Sequence, residues 1–230
     1  MRYLWSVDFH KSCNDPNAPV FPPSGEEMGY SSCVGCGFAH CKEMAGWSEE
    51  KLSERVYNAG YILVDPEYVK TRPENNARDV KRLFGKHTTT IRHLDYGSGT
   101  GLFGTLMKKE GFNTISFDPF SGGGVPHGKY NFITAFEVFE HAQDVSNLMD
   151  ELDKYAEDAC VIYFSTSLSD GLLKNGYWWY VAPRNGHISL FSKDSIKTLG
   201  EKHGFAMESF NQHYHVFHRG ESPLMDDLYG

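Results

Sequence analysis

The sequence predicts an α/β fold, doubly wound, with helices on both faces of a mostly parallel, Rossmann-like sheet. Three observations carry that reading. From about residue 85 onward, apolar strand-like runs alternate with amphipathic helical stretches, the pattern of a parallel sheet whose crossovers are helices. A glycine-rich turn joins the first of those strands to its helix. The chain has 230 residues, 40% of them hydrophobic and 23% charged, which suits one well-cored domain with a small appendage.

The elements follow in order. Residues 1–60 hold four of the five cysteines and show no long periodic helix or strand, so they read as a loop-rich N-terminal segment ahead of a domain over 61–230. "NDPNAPVFPPSG" is loop by its turn chemistry, because proline fixes φ and Asn/Asp-Pro pairs start turns. A helix is expected over 48–58, with Ser48 as N-cap and Glu49 and Glu50 favouring the dipole. A second runs over 73–84, with proline at its start and Gly85 past its end. "TIRHLDY" is a buried-type strand, then comes the glycine turn and a helix over 101–109 closed by Gly111. "TISFD" and "YNFITAF" are strands. Asp144 caps a helix to residue 155 with Val145, Leu148, Met149 and Leu152 on one face. "CVIYFSTS" is a strand, "KDSIKTLGEKHGF" a helix ending at Gly204, and "YHVFHR" a final strand.

Composition narrows the function. With 22 basic and 30 acidic side chains the formal charge is -8, a field that repels phosphate backbones and disfavours a nucleic-acid partner. No run approaches the ~18 apolar residues of a membrane span, and "MRYLWSVDFHK" is too polar for a signal peptide. Five cysteines are too few for a disulfide framework, and the number is odd. Cytoplasmic residence, with reduced thiols or a metal, is the expectation.

"HLDYGSGTGLFGTLMKKEGFNTISFD" is the most informative segment. Gly97, Gly99 and Gly101 let the backbone turn tightly into a helix whose first N–H groups are unpaired. Asp118 lies 21 residues after Gly97, at the tip of the second strand, where a carboxylate accepts hydrogen bonds from ribose hydroxyls. A dinucleotide site needs G-x-G-x-x-G, whereas position 102 is Leu and the spacing here is G-x-G-x-G. Asp95 just before the turn suits a cationic, amino-acid-bearing ligand better than a pyrophosphate. An NAD-type oxidoreductase and a non-catalytic nucleotide-binding module are the alternative classes.

"LDYGSGTG", the "FD" some twenty residues on, and "YNFITAFEVFEH" together resemble the class I S-adenosylmethionine-dependent methyltransferase family over roughly residues 75–220. The resemblance implies S-adenosylmethionine as cofactor. It places Asp95, Gly97, Ser98, Gly99 and Gly101 around the methionine portion, Asp118 on the ribose, Pro119 and Phe120 beside the adenine, and Glu137 closing the site. One departure is visible: only 12 residues separate Asp118 from Asn131, so the family's third helix and strand shrink into "PFSGGGVPHGK". Sugar-, nucleotide-sugar- and quinone-methylating relatives imply a small-molecule acceptor with a hydroxyl group.

The connection "GLLKNGYWWYVAPRNGHISLFSKDS" leaves the carboxyl end of the sheet, above a bound cofactor. Tyr177, Trp178, Trp179 and Tyr180 are expected to wall the acceptor pocket, with Arg184 and Asn185 as polar handles. His187 is the expected base, since imidazole titrates near pH 6.5. His141, following Glu140, competes for that role. His213 and His215 are expected away from the cofactor end.

"YSSCVGCGF" has the shape of one zinc knuckle, and "HKSC" offers a second pair at the same spacing. His10, Cys13, Cys33 and Cys36 would complete a tetrahedral structural zinc, with free thiols as the alternative. Cys41 is a spare ligand, and Cys160, opening an apolar strand, is core. Methyltransferases with an N-terminal zinc segment form a known branch, usually bearing C-x-x-C where His10 and Cys13 stand here.

Overall fold

The computed structural model describes residues 1–13, 21–120, 125–173, 176–226 and 228. Parts of the two expected loops, 14–20 and 121–124, lie outside the described residues.

The N-terminal segment is a sheet, not a run of loops. Strands β1 (Arg2–Asp8), β2 (Glu27–Ser32) and β3 (Ala39–Cys41) pair antiparallel in that order. Helices α1 (Lys42–Ala45), α2 (Glu49–Arg55) and α3 (Tyr61–Val64) follow. The Ser48 side chain caps α2 by accepting from Lys51 N, as its sequence position predicts. Helix α4 (Thr71–Phe84) then leads into the main sheet, with Gly85 just past its end.

That sheet is built from β4 (Arg92–Tyr96), helix α5 (Leu102–Lys109), β5 (Asn113–Phe117), β6 (Tyr130–Phe136), α6 (Val145–Tyr155) and β7 (Ala156–Ser165). Strands β5, β4, β6 and β7 are mutually parallel. Asp144 caps α6 by accepting from Ser146 N at 2.9 Å and Asn147 N at 3.1 Å. The remaining elements are β8 (Ser189–Leu190), α7 (Lys193–Lys202), β9 (Ala206–Ser209), β10 (Tyr214–Arg219) and α8 (Pro223–Asp226).

The main sheet runs β5-β4-β6-β7-β10-β9. The sheet is mostly parallel, as expected, and β10 pairs antiparallel with both β7 and β9. The linker from β9 to β10 is too short for a helical crossover, so a hairpin is the available connection. Strand β8 leaves the main chain of elements and joins the small sheet beside β3.

Residues 178–190 therefore share a core with the N-terminal segment. Phe9, Met28, Tyr30 and Trp47 pack in one buried cluster with Trp178, Tyr180, Ile188 and Leu190. A separate cluster on one face of the main sheet joins β6 and β7 to α6 and α7 through Ile133, Phe164, Leu152 and Ile196. Cys160 is fully buried there, as expected. Among the described residues no helix is long and apolar enough to cross a membrane.

Candidate functional site

A cleft of about 700 Å³ opens at the carboxyl ends of β4, β5 and β6, the place where open α/β sheets receive ligands. The glycine turn forms one end. Gly97 and Ser98 donate their N–H groups to Phe117 O at 2.8 and 3.1 Å, tying the turn to the tip of β5. Gly97, Gly99 and Gly101 all have positive φ, at 72°, 52° and 74°. A Cβ on Gly97 would sit 2.4 Å from Val138 Cγ2, while Cβ atoms on Gly99 and Gly101 would meet only open space. Gly97 is thus demanded by packing, and the other two keep a cradle clear.

Three acids face this cradle. The carboxylate of Asp118 accepts from Gly99 N at 2.8 Å and Phe120 N at 2.9 Å, fixing it at the tip of β5. Asp95 is buried; its Oδ1 accepts weakly from Thr134 Oγ1 at 3.4 Å and its Oδ2 has no partner. Burial pushes this carboxyl up to about 7. Glu137 has φ +54°, the one non-glycine residue with positive φ among the described residues. Ser165 Oγ holds it twice, accepting from Glu137 N at 2.9 Å and donating to Glu137 Oε1 at 2.7 Å. Strained backbone held so firmly is characteristic of functional positions. Ser98, Pro119 and Phe120 also line the cleft, while Gly101 stands just outside it as the N-cap of α5.

The expected catalytic residues separate by depth. His141 lines the cleft; Glu140 and His187 lie behind it, 0% and 4% exposed. Burial, reinforced by the Glu137 charge, holds the Glu140 carboxyl well above the usual carboxylate range. The Tyr180 and Thr166 hydroxyls lie beside it without forming proper hydrogen bonds, so neither oxygen has a partner. Burial lowers both imidazoles, His187 the more strongly. His213 and His215 bond Ser167 Oγ and Ser209 Oγ at 2.8 and 2.9 Å, outside the cleft lining.

The expected acceptor wall lies elsewhere. None of Tyr177, Trp178, Trp179, Tyr180, Arg184 and Asn185 lines the cleft. Trp178 and Tyr180 are buried in the core shared with the N-terminal sheet, and Tyr177 is 77% exposed. Trp179 is half-exposed, with its ring 6.4 Å from His213. Arg184 Nη1 donates to Val56 O at 3.0 Å, and Asn185 Oδ1 accepts from Cys13 N at 2.9 Å. These groups fasten two parts of the chain together, because pairing of β8 with β3 draws the whole connection onto the small sheet.

The wall comes instead from a stretch that sequence reasoning passed over. Tyr57, Tyr61 and Tyr68 form a chain of ring contacts at 5.5 and 5.2 Å, continued by Tyr57 to Phe120 at 5.8 Å. Arg72 makes a two-pronged ion pair with Asp65, at 2.8 and 3.0 Å, on the same wall. The signal was present as three tyrosines and an Arg within "YNAGYILVDPEYVKTRP". Gln143 anchors this half to the other by donating to the carbonyls of Met44, Ala45 and Trp47.

The expected zinc set does not assemble. Cys33 and Cys36 occupy the surface turn between β2 and β3, closed by Gly37 N donating to Cys33 O at 3.0 Å. Cys13 faces inward with Sγ 3.9 Å from His187 Nδ1, and His10 Nδ1 lies 2.6 Å from Pro22 O. The spare candidate Cys41 is buried. Among the described residues, the group of donors close enough to share an ion is Glu140, His141 and His187.

A family model described as a methyltransferase domain matches residues 68–209, more than half of the chain. The chain belongs to the methyltransferase domain family. It is a class I S-adenosylmethionine-dependent methyltransferase. No curated protein sequence matches it. Among solved structures, the methyltransferase is similar to Burkholderia thailandensis 1,6-didemethyltoxoflavin-N1-methyltransferase, solved with 1,6-didemethyltoxoflavin and S-adenosylhomocysteine. That likeness has 9% identity and TM-score 0.53, over 87% of this chain and 98% of that one. It is also similar to the plantazolicin methyltransferase BpumL, solved with a monoazolic desmethylPZN analog and S-adenosylhomocysteine, at 10% identity and TM-score 0.52, over 78% and 96%. Such identities speak for the fold.

The residues of the methyltransferase fit its cofactor. A buried carboxylate oxygen without a donor, Asp95 Oδ2, suits an ammonium group. A cradle kept open by Gly99 and Gly101 admits a ligand against the backbone.

Proposed function

We propose that the protein methylates a hydroxyl group on a small, flat acceptor of quinone-precursor or phenol type, seated against Tyr57, Tyr61 and Tyr68. The observation that carries this reading is the two-ended cleft. The glycine cradle with Asp95 and Asp118 forms one end, and an aromatic wall with His141 forms the other. Its volume accommodates a nucleoside-sized cofactor together with a ring-sized acceptor. Sugar and nucleotide-sugar hydroxyls are the second reading, favoured by the Arg72–Asp65 pair, which offers donors and acceptors on the same wall.

When bound, S-adenosylmethionine supplies a methyl group activated on a sulfonium. Asp95 would neutralise the ammonium of its amino-acid part, and the Asp118 carboxylate, at the tip of β5, would accept from the ribose hydroxyls. Glu137, pinned by Ser165, would close the end of the cofactor seat. The acceptor oxygen would take that methyl group in exchange for its own proton, which His141, on the cleft lining, would accept in the ion-free site. Residues 61–230 would carry the cofactor seat, with 1–60 packed against residues 178–190 and bracing the acceptor side.

The test is a screen with S-adenosylmethionine carrying a deuterated methyl group, read by mass spectrometry over catechols, hydroquinones, sugars and nucleotide sugars. Label on a phenolic oxygen is expected. Label on sugars alone would select the second reading. Cofactor binding with no label on any of these acceptors would rule out both.

A further inference from the structure

Glu140 and His141 sit on the single 3-10 turn Phe139–His141 after β6, and His187 approaches from the segment leading into β8. One ligand atom from each lies within 4.8 Å of the others. The hydrogen bonds around them show which nitrogens are open to a ligand. His141 Nδ1 lies 3.0 Å from Gly186 O, and His187 Nδ1 lies 2.8 Å from Tyr180 O. A carbonyl only accepts, so both Nδ1 atoms carry the proton and both Nε2 atoms are left as acceptors, that of His187 with only the weak Cys13 thiol near it at 4.0 Å. Glu140 adds two oxygens that are fully buried and without a hydrogen-bond partner.

Two imidazoles and a carboxyl therefore stand within 4.8 Å of one another, with only the weak Cys13 thiol donor beside His187. Buried acceptors are normally satisfied, and each left alone costs ~1–3 kcal/mol. A cation would hold Glu140 as a carboxylate and satisfy both imidazoles at once, where a proton on Glu140 serves one imidazole at most. Backbone carbonyls holding the far nitrogen of each imidazole are also the outer arrangement that orients metal-ligating histidines. A cation at ~2.1 Å from each donor keeps the donors roughly 3–4 Å apart, so small side-chain rotations close the set.

We propose that Glu140, His141 and His187 form a site for a divalent transition cation at the floor of the cleft, and that its open position takes the acceptor oxygen. Two imidazoles and one carboxylate suit zinc, cobalt or iron rather than magnesium or calcium. His141 lines the cleft, so the vacant side of the ion faces the acceptor seat. An ion there lowers the proton affinity of an oxygen it binds, which prepares a hydroxyl for methyl transfer; with the ion bound, His141 is a ligand and the hydroxyl proton goes to solvent in the cleft instead. This last step rests on the methyl-transfer reading; the ion site itself does not.

Metal-free full-length protein titrated with Co2+ alone tests it, read by visible absorption and by melting temperature. Expected is one Co2+ per chain, with a melting temperature that climbs with Co2+ concentration. Glu140→Gln and the half-exposed His141→Gln should each lose the absorption band and the shift. Cys33→Ser/Cys36→Ser should keep both. Calorimetry with S-adenosylmethionine reports separately whether each variant is folded and whether the cofactor reading holds. No Co2+ band at millimolar metal, an unchanged band in Glu140→Gln and His141→Gln, or a band lost with Cys33 and Cys36 would overturn the site.

Discussion

Asp95 is where cofactor binding and stability pull in opposite directions. Its carboxyl is buried, half-satisfied and pushed up to about 7 from 3.8. A raised acid binds more protons folded than unfolded between those values, so its contribution to stability falls as pH climbs from about 4 to 7. Above pH 7 the full cost is present, of order 4 kcal/mol at most. Asp95→Asn should therefore melt higher than wild type at pH 8 without ligand, with the difference closing by pH 4. The same variant should bind S-adenosylmethionine at least tenfold more weakly at pH 8, because the ammonium loses its counter-charge. Calorimetry and thermal melts across that pH range decide it, and a wild-type protein melting above the variant at pH 8 would sink the account. Residues of this kind were legible in the sequence. Asp95, Gly97 and Asp118 sit at fixed distances along the chain, and the β4–turn–α5 geometry leaves such positions little choice. His187 and the Tyr177–Tyr180 run were not, because their positions depend on a pairing between β8 and β3 that no local pattern announces.

At the level of elements, His93 fastens the centre of the main sheet. Its ring nitrogens lie 2.9 Å from Thr114 Oγ1 on β5 and 2.9 Å from Thr134 Oγ1 on β6. Burial lowers this imidazole to about 3. The unfolded side chain protonates near 6.5, so the group's stability is whole above that pH and is lost as pH falls toward 3. His93→Leu takes the ring partner from Thr114 Oγ1 and leaves Thr134 Oγ1 only its weak bond to Asp95, and should cost ~1–3 kcal/mol at pH 7. By pH 4 the gap to wild type should narrow by up to about 3 kcal/mol, since the variant has no imidazole to titrate. Urea unfolding at pH 7, 5.5 and 4 measures this; a gap independent of pH would refute the linkage. Of the buried strands around His93, β6 and the second half of β7 were readable because they run nearly unbroken in apolar residues, whereas β4 was marked by the glycine turn that follows it. Strand β2, "EMGYSS", alternates only weakly, burying Met28, Tyr30 and Ser32 among polar neighbours, and β8 has two residues. Their strand character comes from tertiary pairing, which composition does not display.

At the scale of the molecule, two layers meet at the cleft, and the structure assigns them different tasks. The small sheet and residues 178–190 make one core, fastened by Tyr30 Oη donating to His187 O at 2.6 Å and Cys41 N donating to Ile188 O at 2.8 Å. The tyrosines at 57, 61 and 68 lie between that core and the main sheet, where they face the cleft. Substitutions in the two aromatic groups should then fail in distinguishable ways. Trp178→Ala removes a large buried side chain and should cost ~3–5 kcal/mol of stability. With the protein kept well below its melting point, the acceptor KM of Trp178→Ala should stay within about threefold of wild type, since Trp178 does not line the cleft. Tyr68→Ala, on a half-buried residue, should cost little stability but raise the acceptor KM at least tenfold, while the S-adenosylmethionine Kd stays unchanged. Tyr57→Ala should raise that KM too, and its contact with Phe120 should weaken cofactor binding as well. Melting temperature, cofactor calorimetry and steady-state kinetics on the three variants separate these outcomes. If Trp178→Ala raised the acceptor KM as much as Tyr68→Ala at equal folded fraction, the acceptor would lie against residues 177–180 after all, and the cleft would have to extend through the core that now fills that space.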